Sequence, residues 1–151
     1  MFYDHLRHRW KQAWCTARRL FPWFKPRPLG ERGERIAANY LRCRGYQIIE
    51  QRYANRYGEI DIVAVHQRTV VFIEVKTRRG TDRRAPLEAV TLEKQRRLSR
   101  ISLSYLKRYD LLEYSSRFDV MGLVWPKGQR RPEITHVINA FEPSGTNSLY
   151  S

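Results

Sequence analysis

Alternation of hydrophobic and polar residues marks two strands in the middle of the chain. Positions 59–66 and 69–78, within GEIDIVAVHQRTVVFIEVKTR, alternate and are rich in Ile and Val, which is typical of β-strands. Similar runs predict further strands over 46–53, 117–125 and 133–141. Helical spacing predicts one helix over 31–44, closed by Gly45, and a second over 86–107 with Val90, Leu98, Ile101 and Tyr105 on its apolar face. The order helix, three strands, helix, two strands predicts an α/β domain built on a mixed sheet.

The two central strands place charged residues among residues that favour burial. If the link at 67–68 makes a symmetric hairpin, Asp61 falls opposite Glu74. The same register places Glu59 opposite Lys76. Directly opposed residues share a sheet face, with Cβ atoms about 4.5–5.5 Å apart. All four charged side chains are therefore expected on one face, and the Ile and Val residues between them on the other.

The opposed acids, Asp61 and Glu74, indicate a cation site. Two facing carboxylates repel each other, and a divalent cation between them removes the repulsion. Mg²⁺ takes one or two carboxylates together with waters and phosphate oxygens, and a lysine such as Lys76 can stabilise charge that develops on a phosphate. Phosphodiester hydrolysis is one reading of this pattern. The alternative is an ordinary exposed strand face with Glu–Lys pairs across the strands.

The first predicted helix carries a third acid on its inward face. Glu34, Ala37, Ala38 and Leu41 follow helical spacing and share one side of the helix. Glu34 is therefore expected at the inward face or at the edge of the core. The alternative is a glutamate that caps the helix at the surface.

Several motifs in order resemble one family of small bacterial proteins. GERGERIAANYLRCRGYQIIE, GEIDIV, FIEVKTR, AVTLEKQRRL and RFDV are together similar to the YraN family, whose members are similar to Holliday-junction resolvases. The spacing from Asp61 to Glu74-Val75-Lys76 also resembles the PD-(D/E)XK signature of restriction-endonuclease-like nucleases. The resemblance covers residues 30 to about 141 and implies an αβββαβ core with a mixed central sheet flanked by helices.

The resemblance also implies roles for individual residues. Glu34, Asp61 and Glu74 correspond to the acidic residues that bind Mg²⁺ or Mn²⁺, and Lys76 corresponds to the catalytic lysine. Glu59 belongs to the same motif and is expected to support Lys76 or the outer part of the site. The implied activity is metal-dependent endonuclease cleavage of DNA, including branched DNA of the Holliday-junction type. A non-catalytic nucleic-acid-binding protein on the same fold is the alternative, because a fold does not establish a reaction.

The charge of the chain favours a nucleic-acid partner. Its 151 residues include 29 Lys and Arg against 15 Asp and Glu, a net charge of +14, and such an excess attracts polyanions. No base-reading motif is visible, so recognition by shape is expected, with DNA as the leading substrate. Phosphate contacts are predicted for cations that follow the third strand or lie on the second helix: Arg78, Arg79, Arg83, Arg84, Lys94 and Arg97. The alternative is a solvated charged loop.

The two ends of the chain differ from its centre. Residues 1–29 contain seven Lys or Arg, one Asp and a helical Trp–Leu–Ala stripe that ends in a Pro-rich linker. This basic extension is expected to pack on the domain 30–141, while contact with a membrane surface is the less favoured alternative. Residues 142–151 have the composition of a flexible tail. Two cysteines in no metal-binding spacing favour a cytoplasmic setting. A homodimer would suit a two-fold-symmetric DNA junction.

Overall fold

The computed structural model describes residues 28–82, 88 and 90–143. Helix α1 spans Leu29–Arg42, and three strands follow it: β1 (Gln47–Asn55), β2 (Gly58–His66) and β3 (Thr69–Arg79). Helix α2 (Leu92–Arg108), β4 (Ser116–Trp125) and β5 (Glu133–Phe141) complete the order. The predicted α/β class and αβββαβ order are confirmed, with β5 following the core. Most of the predicted extension at 1–29 and of the tail at 142–151 lies outside the described residues.

The five strands form one mixed sheet in the order β1-β2-β3-β4-β5. Neighbouring strands are antiparallel except β3 and β4, which are parallel. A parallel pair needs a crossover, which here contains α2. Because the chain must return between the two strands, the start of α2 follows the carboxyl end of β3.

The hairpin between β2 and β3 has the predicted symmetric register next to its turn, but the predicted pairs Asp61–Glu74 and Glu59–Lys76 fall beyond the paired positions. Pairing runs from His66 opposite Thr69 to Ile62 opposite Ile73. Both residues of the link have positive φ, 47° at Gln67 and 68° at Arg68, as a two-residue turn of type I′ requires. The turn therefore forms without the Asn-Gly pair that usually signals it.

Two apolar layers hold the helices on opposite faces of the sheet. Under α1 lies a cluster that includes Ala37, Leu41, Ile62, Ile73 and Met121, all fully buried. Under α2 lies a second cluster, which includes Ile60, Phe72, Leu98, Ile101 and Tyr105. Side-chain alternation along β3 and β4 assigns each residue to one layer, so the face of a strand residue identifies the helix it meets.

The second predicted helix, 86–107, is interrupted at Val90 and Thr91. Helix α2 begins at Leu92, and Thr91 caps it by accepting a hydrogen bond at its Oγ1 from the Lys94 N–H at 3.3 Å. Residue 88 is also helical, whereas the predicted start at Pro86 lies outside the described residues. Val90 is buried, as expected, but it precedes the helix. A threonine cap satisfies a free helical N–H and so sets the helix start; the apolar pattern alone could not locate it.

A buried polar cluster lies on the face of β4 that meets α1. Asp119 is 1% exposed and accepts hydrogen bonds from Arg117 Nε at 2.9 Å and from the Asn139 N–H at 3.0 Å. His136 Nε2 lies 2.9 Å from its other oxygen. Burial by itself would raise the pKa of Asp119, but these partners outweigh burial and lower it. The carboxylate is thus neutralised within the fold, and we assign the cluster a structural role.

Helix α1 packs most closely on the sheet at Gly33, the residue before Glu34. A Cβ atom at this position would overlap Thr77 Oγ1 on β3. Gly33→Ala is therefore expected to lower stability by about 1–2 kcal/mol, since overpacking outweighs the better helix propensity of alanine. Thermal unfolding of the single variants and of Gly33→Ala/Thr77→Ala measures the coupling. In the Thr77→Ala background the alanine should be neutral or stabilising; an equal loss in both backgrounds would contradict the close contact.

Candidate active site

Asp61, one of the predicted acidic residues, lies where strand β2 becomes irregular. Ile60 and Ile62 belong to opposite core layers, so the prediction that they share one sheet face, as residues two apart on a regular strand do, is wrong for Ile60. The β1–β2 register passes from Gln51 opposite Ile62 to Tyr53 opposite Ile60. Asp61, at the centre of this irregularity, accepts a hydrogen bond at Oδ2 from the Val75 N–H at 2.7 Å. The Asp61 carboxylate thus accepts from a backbone N–H of the neighbouring strand β3, and this contact holds Asp61 beside Glu74.

Glu74 is a buried carboxylate with two lysines on one of its oxygens. It is 3% exposed and projects from β3 toward α2. Its Oε1 lies 2.5 Å from Lys76 Nζ and 2.9 Å from Lys94 Nζ. Its Oε2 is buried and has no hydrogen-bond partner among the residues that the structure describes. An unpaired buried oxygen raises the free energy of the fold, so this atom indicates a site for a further positive group.

The pKa of Asp61 is raised from 3.8 to about 7. Burial is the largest cause, the charge of Glu74 adds to it, and the hydrogen bond from Val75 partly offsets both. Without a further cation, Asp61 is therefore close to half protonated at neutral pH. A carboxyl group shifted this far by burial and a second acid is typical of functional sites.

Glu34 faces inward as predicted, but its carboxylate is paired with an arginine. Its side chain is 17% exposed, and its Oε2 lies 3.5 Å from Arg52 Nε. Burial raises the pKa of Glu34, which Arg52 partly offsets. Arg52 has φ 57° and lies on β1 between Gln51 and Tyr53, which pair with Ile62 and Ile60 on either side of Asp61. Among residues 28–82, 88 and 90–143, no group of three His, Cys, Asp or Glu side chains is arranged to hold a metal ion. The acids brought together are Asp61 and Glu74.

The remaining predicted residues are distributed around this pair. Glu59 is exposed and pairs with Ala54 on β1, whereas Lys76 contacts Glu74 rather than Glu59. Arg78 and Arg97 are exposed. Arg79 is also exposed and lines a cavity beyond the end of β3. Arg83 and Arg84 lie outside the described residues, so their predicted phosphate contacts stay predictions.

Two partners of the acids were not identified from the sequence. Lys94 was predicted to contact phosphate, and the structure places it on Glu74. Arg52 was not singled out, and it pairs with both Glu34 and Glu31. The position of Lys94 in the first turn of the crossover helix was the available signal, because that turn follows the strand that carries Glu74. Nothing in the sequence indicated the positive φ of Arg52.

Comparison with known proteins agrees with the order of these motifs. Residues 33–123, which contain every one of the central acids and lysines, match the model of the family described as "Uncharacterised protein family UPF0102". The chain belongs to the UPF0102 family. This is the YraN family that the sequence motifs resemble, and the resemblance is confirmed.

Other UPF0102 proteins align with most of this chain. One from Chlorobium phaeobacteroides (strain BS1) is 42% identical over 122 residues, covering 78% of this chain and 97% of the relative. One from Geobacter sulfurreducens is 45% identical over 114 residues, covering 76% and 88%. One from Rhodopirellula baltica is 42% identical over 125 residues, covering 81% and 75%. This UPF0102 chain is thus similar to these relatives over about three quarters or more of its length.

Membrane insertion by a helix finds no support in the part of the UPF0102 chain that the structure describes. Neither α1 nor α2 has the length and apolar character that a membrane-crossing helix needs.

Proposed function

We propose that this UPF0102 protein is a Mg²⁺- or Mn²⁺-dependent endonuclease that hydrolyses phosphodiester bonds in DNA, including branched DNA. The observation that carries the proposal is Glu74, a buried carboxylate with an unpartnered Oε2 beside Asp61 and with two lysines on Oε1. Acid pairs with an adjacent lysine suit the hydrolysis of phosphate esters, where negative charge develops on the phosphate.

The residues present fit a divalent cation. Asp61 and Glu74 supply carboxylate oxygens, and Mg²⁺ needs one or two carboxylates, with water and substrate oxygens completing its shell. The cation would also satisfy the unpartnered Oε2 and favour the ionised form of Asp61. When bound, such an ion polarises the phosphate and lowers the pKa of a bound water. Glu34, held on Arg52, is proposed as an acid at the edge of the site rather than as a third close ligand.

Lys76 and Lys94 come from different elements and contact the same oxygen of Glu74. Lys76 comes from the strand that carries Glu74, and Lys94 comes from the first turn of α2. Their side chains are 22% and 18% exposed, so both lysines are partly accessible from solvent. We propose that Lys76 stabilises charge on the reacting phosphate. Lys94 balances the charge of Glu74 and holds the start of α2 against β3.

The charge distribution supports a nucleic-acid substrate. The formal net charge of the chain is +14, and Arg78, Arg79 and Arg97 are exposed on elements next to the acids. Cations on either side of a cleavage site position the phosphate backbone without reading bases. We therefore propose that this protein recognises the shape of DNA rather than its sequence.

A second candidate function is binding to nucleic acid without cleavage. One observation favours it: in the described parts of the chain, the three acids do not form a metal-binding group. In that case Lys76 and Lys94 would be permanent partners of Glu74, and the site would be a structural remnant.

Cleavage of a DNA panel separates the two functions. With Mn²⁺ or Mg²⁺, the wild type is expected to cleave at least one of branched, duplex and single-stranded DNA. Glu74→Gln should lower the rate by about 10²-fold or more, because it removes the charge that would hold the cation. Glu93→Gln, which changes an exposed acid in the first turn of α2, is the matched control. Intact DNA binding by a wild type that cleaves none of the three substrates would establish the second candidate instead.

A further inference from the structure

A basic cavity lies beyond the carboxyl ends of β3 and β4, separate from the acid pair. The last pair of these parallel strands is Arg79 opposite Trp125. The cavity has a volume of about 670 Å³ and is bounded by the strand ends, the start of α1 and the turn that follows β4. Crevices at the carboxyl ends of parallel strands are common ligand sites in α/β sheets. The volume lies within the usual range for small-molecule pockets.

Four cations from three segments converge on this cavity. Arg32 comes from α1, Arg79 from the end of β3, and Lys127 and Arg130 from the turn after β4. None of the described residues that line it is acidic. Chain segments far apart in sequence thus contribute charge of one sign to one concave surface, which favours an anion.

The wall of the cavity is apolar as well as basic. Trp125 and Pro126 form part of it, and the Arg32 guanidinium carbon lies 5.5 Å from the centre of the Trp125 ring. This cation–π contact holds the guanidinium at the wall. A bare phosphate would use only the cations, whereas a nucleotide would also use the apolar surface through its sugar and base.

The backbone around the cavity also suits a phosphate group. Helix α1 begins after Pro28, which supplies no side-chain cap, and helix N-termini attract anions. Gly128, in the turn, has φ 80°, and a Cβ there would meet no atom within 4 Å. A substrate could therefore approach this turn closely.

We propose that this cavity binds an unpaired nucleotide of a DNA substrate, with its phosphate on the four cations and its sugar or base against Trp125 and Pro126. The inference rests on the proposed nuclease function, in which DNA is the substrate, and it adds a binding site for an unpaired nucleotide to that function. Branched DNA with a flap or a fork carries unpaired nucleotides at its junction, whereas blunt duplex DNA and a fully paired four-way junction do not. The cavity would thus favour flap- or fork-type branched substrates, at a place away from the acid pair.

The test compares two labelled DNA duplexes of equal length by fluorescence anisotropy, one blunt and one with a five-nucleotide single-stranded overhang. EDTA is present, so neither metal nor cleavage contributes. The wild type should bind the overhang duplex about tenfold more tightly. Lys127→Ala/Arg130→Ala should remove this preference and weaken blunt-duplex binding less. Lys107→Ala/Arg108→Ala is the matched control, because it removes the same charge from exposed residues at the far end of α2. It should keep the preference.

Competition identifies the ligand more closely. Thymidine monophosphate should abolish the overhang preference at millimolar concentration, and thymidine should not. Equal competition by both compounds would overturn the assignment to an anion. Tighter binding of the free nucleotide than of the overhang duplex would overturn the assignment to DNA.

The proposal also fails if the wild type shows no overhang preference, if the cavity variant keeps it, or if the control variant loses it. None of these outcomes depends on catalysis. A protein that cleaves no DNA but prefers the overhang through Lys127 and Arg130 would keep the cavity site and lose only the nuclease function. A protein that cleaves DNA but shows no overhang preference through Lys127 and Arg130 would keep the nuclease function and lose the cavity site.

Discussion

Asp61→Asn is expected to raise the melting temperature of the metal-free protein at pH 8, because the native carboxylate is held where its charge is unfavourable. The pKa of Asp61 is raised to about 7 from 3.8 by burial and by the charge of Glu74. Asparagine removes the charge, and its amide oxygen can still accept the hydrogen bond from Val75. We expect a gain of about 1–3 kcal/mol, which is several degrees for a chain of this size.

The pH dependence of this gain follows from proton linkage. Between about pH 4 and pH 7 the folded protein holds a proton on Asp61 that the unfolded chain releases. The stability of the wild type therefore falls as pH rises across this range and levels off above it. The advantage of Asp61→Asn should be near zero at pH 4.5 and reach its full size at pH 8. Glu59→Gln, an exposed acid on the same strand, should change stability by less than about 0.5 kcal/mol at either pH.

Metal should make the wild type more stable than Asp61→Asn, which reverses their order of stability. A cation that binds only the folded state stabilises it by about 2.7 kcal/mol at 100 times its dissociation constant. With excess Mn²⁺ at pH 8, the wild type should gain stability and Asp61→Asn should gain much less. Thermal unfolding of both proteins, with EDTA and with Mn²⁺, measures this directly. A less stable Asp61→Asn in EDTA would mean that the carboxylate stabilises the metal-free fold and that the proposed strain is wrong.

Lys76→Met is expected to lower the cleavage rate by about 10²–10³-fold and to change DNA affinity little. The lysine is proposed to act where charge develops on the phosphate, and only interactions that strengthen in the transition state accelerate the chemical step. Methionine keeps the apolar stem and removes the ammonium group. One lysine is also a small part of a chain with a net charge of +14, so binding of intact DNA should persist.

The comparison with a second lysine assigns the role more closely. Lys94 contacts the same oxygen of Glu74 from the other side of the cluster. Cleavage rates and DNA affinities of Lys76→Met and Lys94→Met are measured together, with the exposed Lys107→Met on the same helix as control. An equal loss for both site lysines would assign the transition-state role to the pair. Unchanged cleavage in Lys76→Met would remove it from the mechanism.

The hairpin at the centre of the site could be predicted because its rules are local. Side chains alternate with a period of two along a strand, and a two-residue link at 67–68 sets the register of the strands it joins. These two facts placed Asp61 near Glu74 before any tertiary contact was known. The inward face of Glu34 followed in the same way from helical spacing with Ala37, Ala38 and Leu41.

Element ends were less predictable, since they depend on single contacts. The start of α2 at Leu92 is set by the Thr91 cap, whereas the apolar pattern extends back to Val90. The irregularity at Asp61 depends on a hydrogen bond to Val75, which no pattern of apolar residues encodes. An alternating sequence predicts a regular strand. It does not show that the Asp61 side chain will accept a hydrogen bond from a backbone N–H of the next strand.

The sequence by itself determined the α/β class and the register of the β2–β3 hairpin from His66–Thr69 to Ile62–Ile73, which brings Asp61 into the neighbourhood of Glu74. Tertiary structure decided which cations meet the acids. The crossover brings Lys94 from α2 onto Glu74, and the left-handed backbone of Arg52 lets it reach Glu34. The physical reason is range: alternation and turn geometry act between neighbours along the chain, whereas an ion pair between a helix and a strand exists only after both have packed on the same sheet.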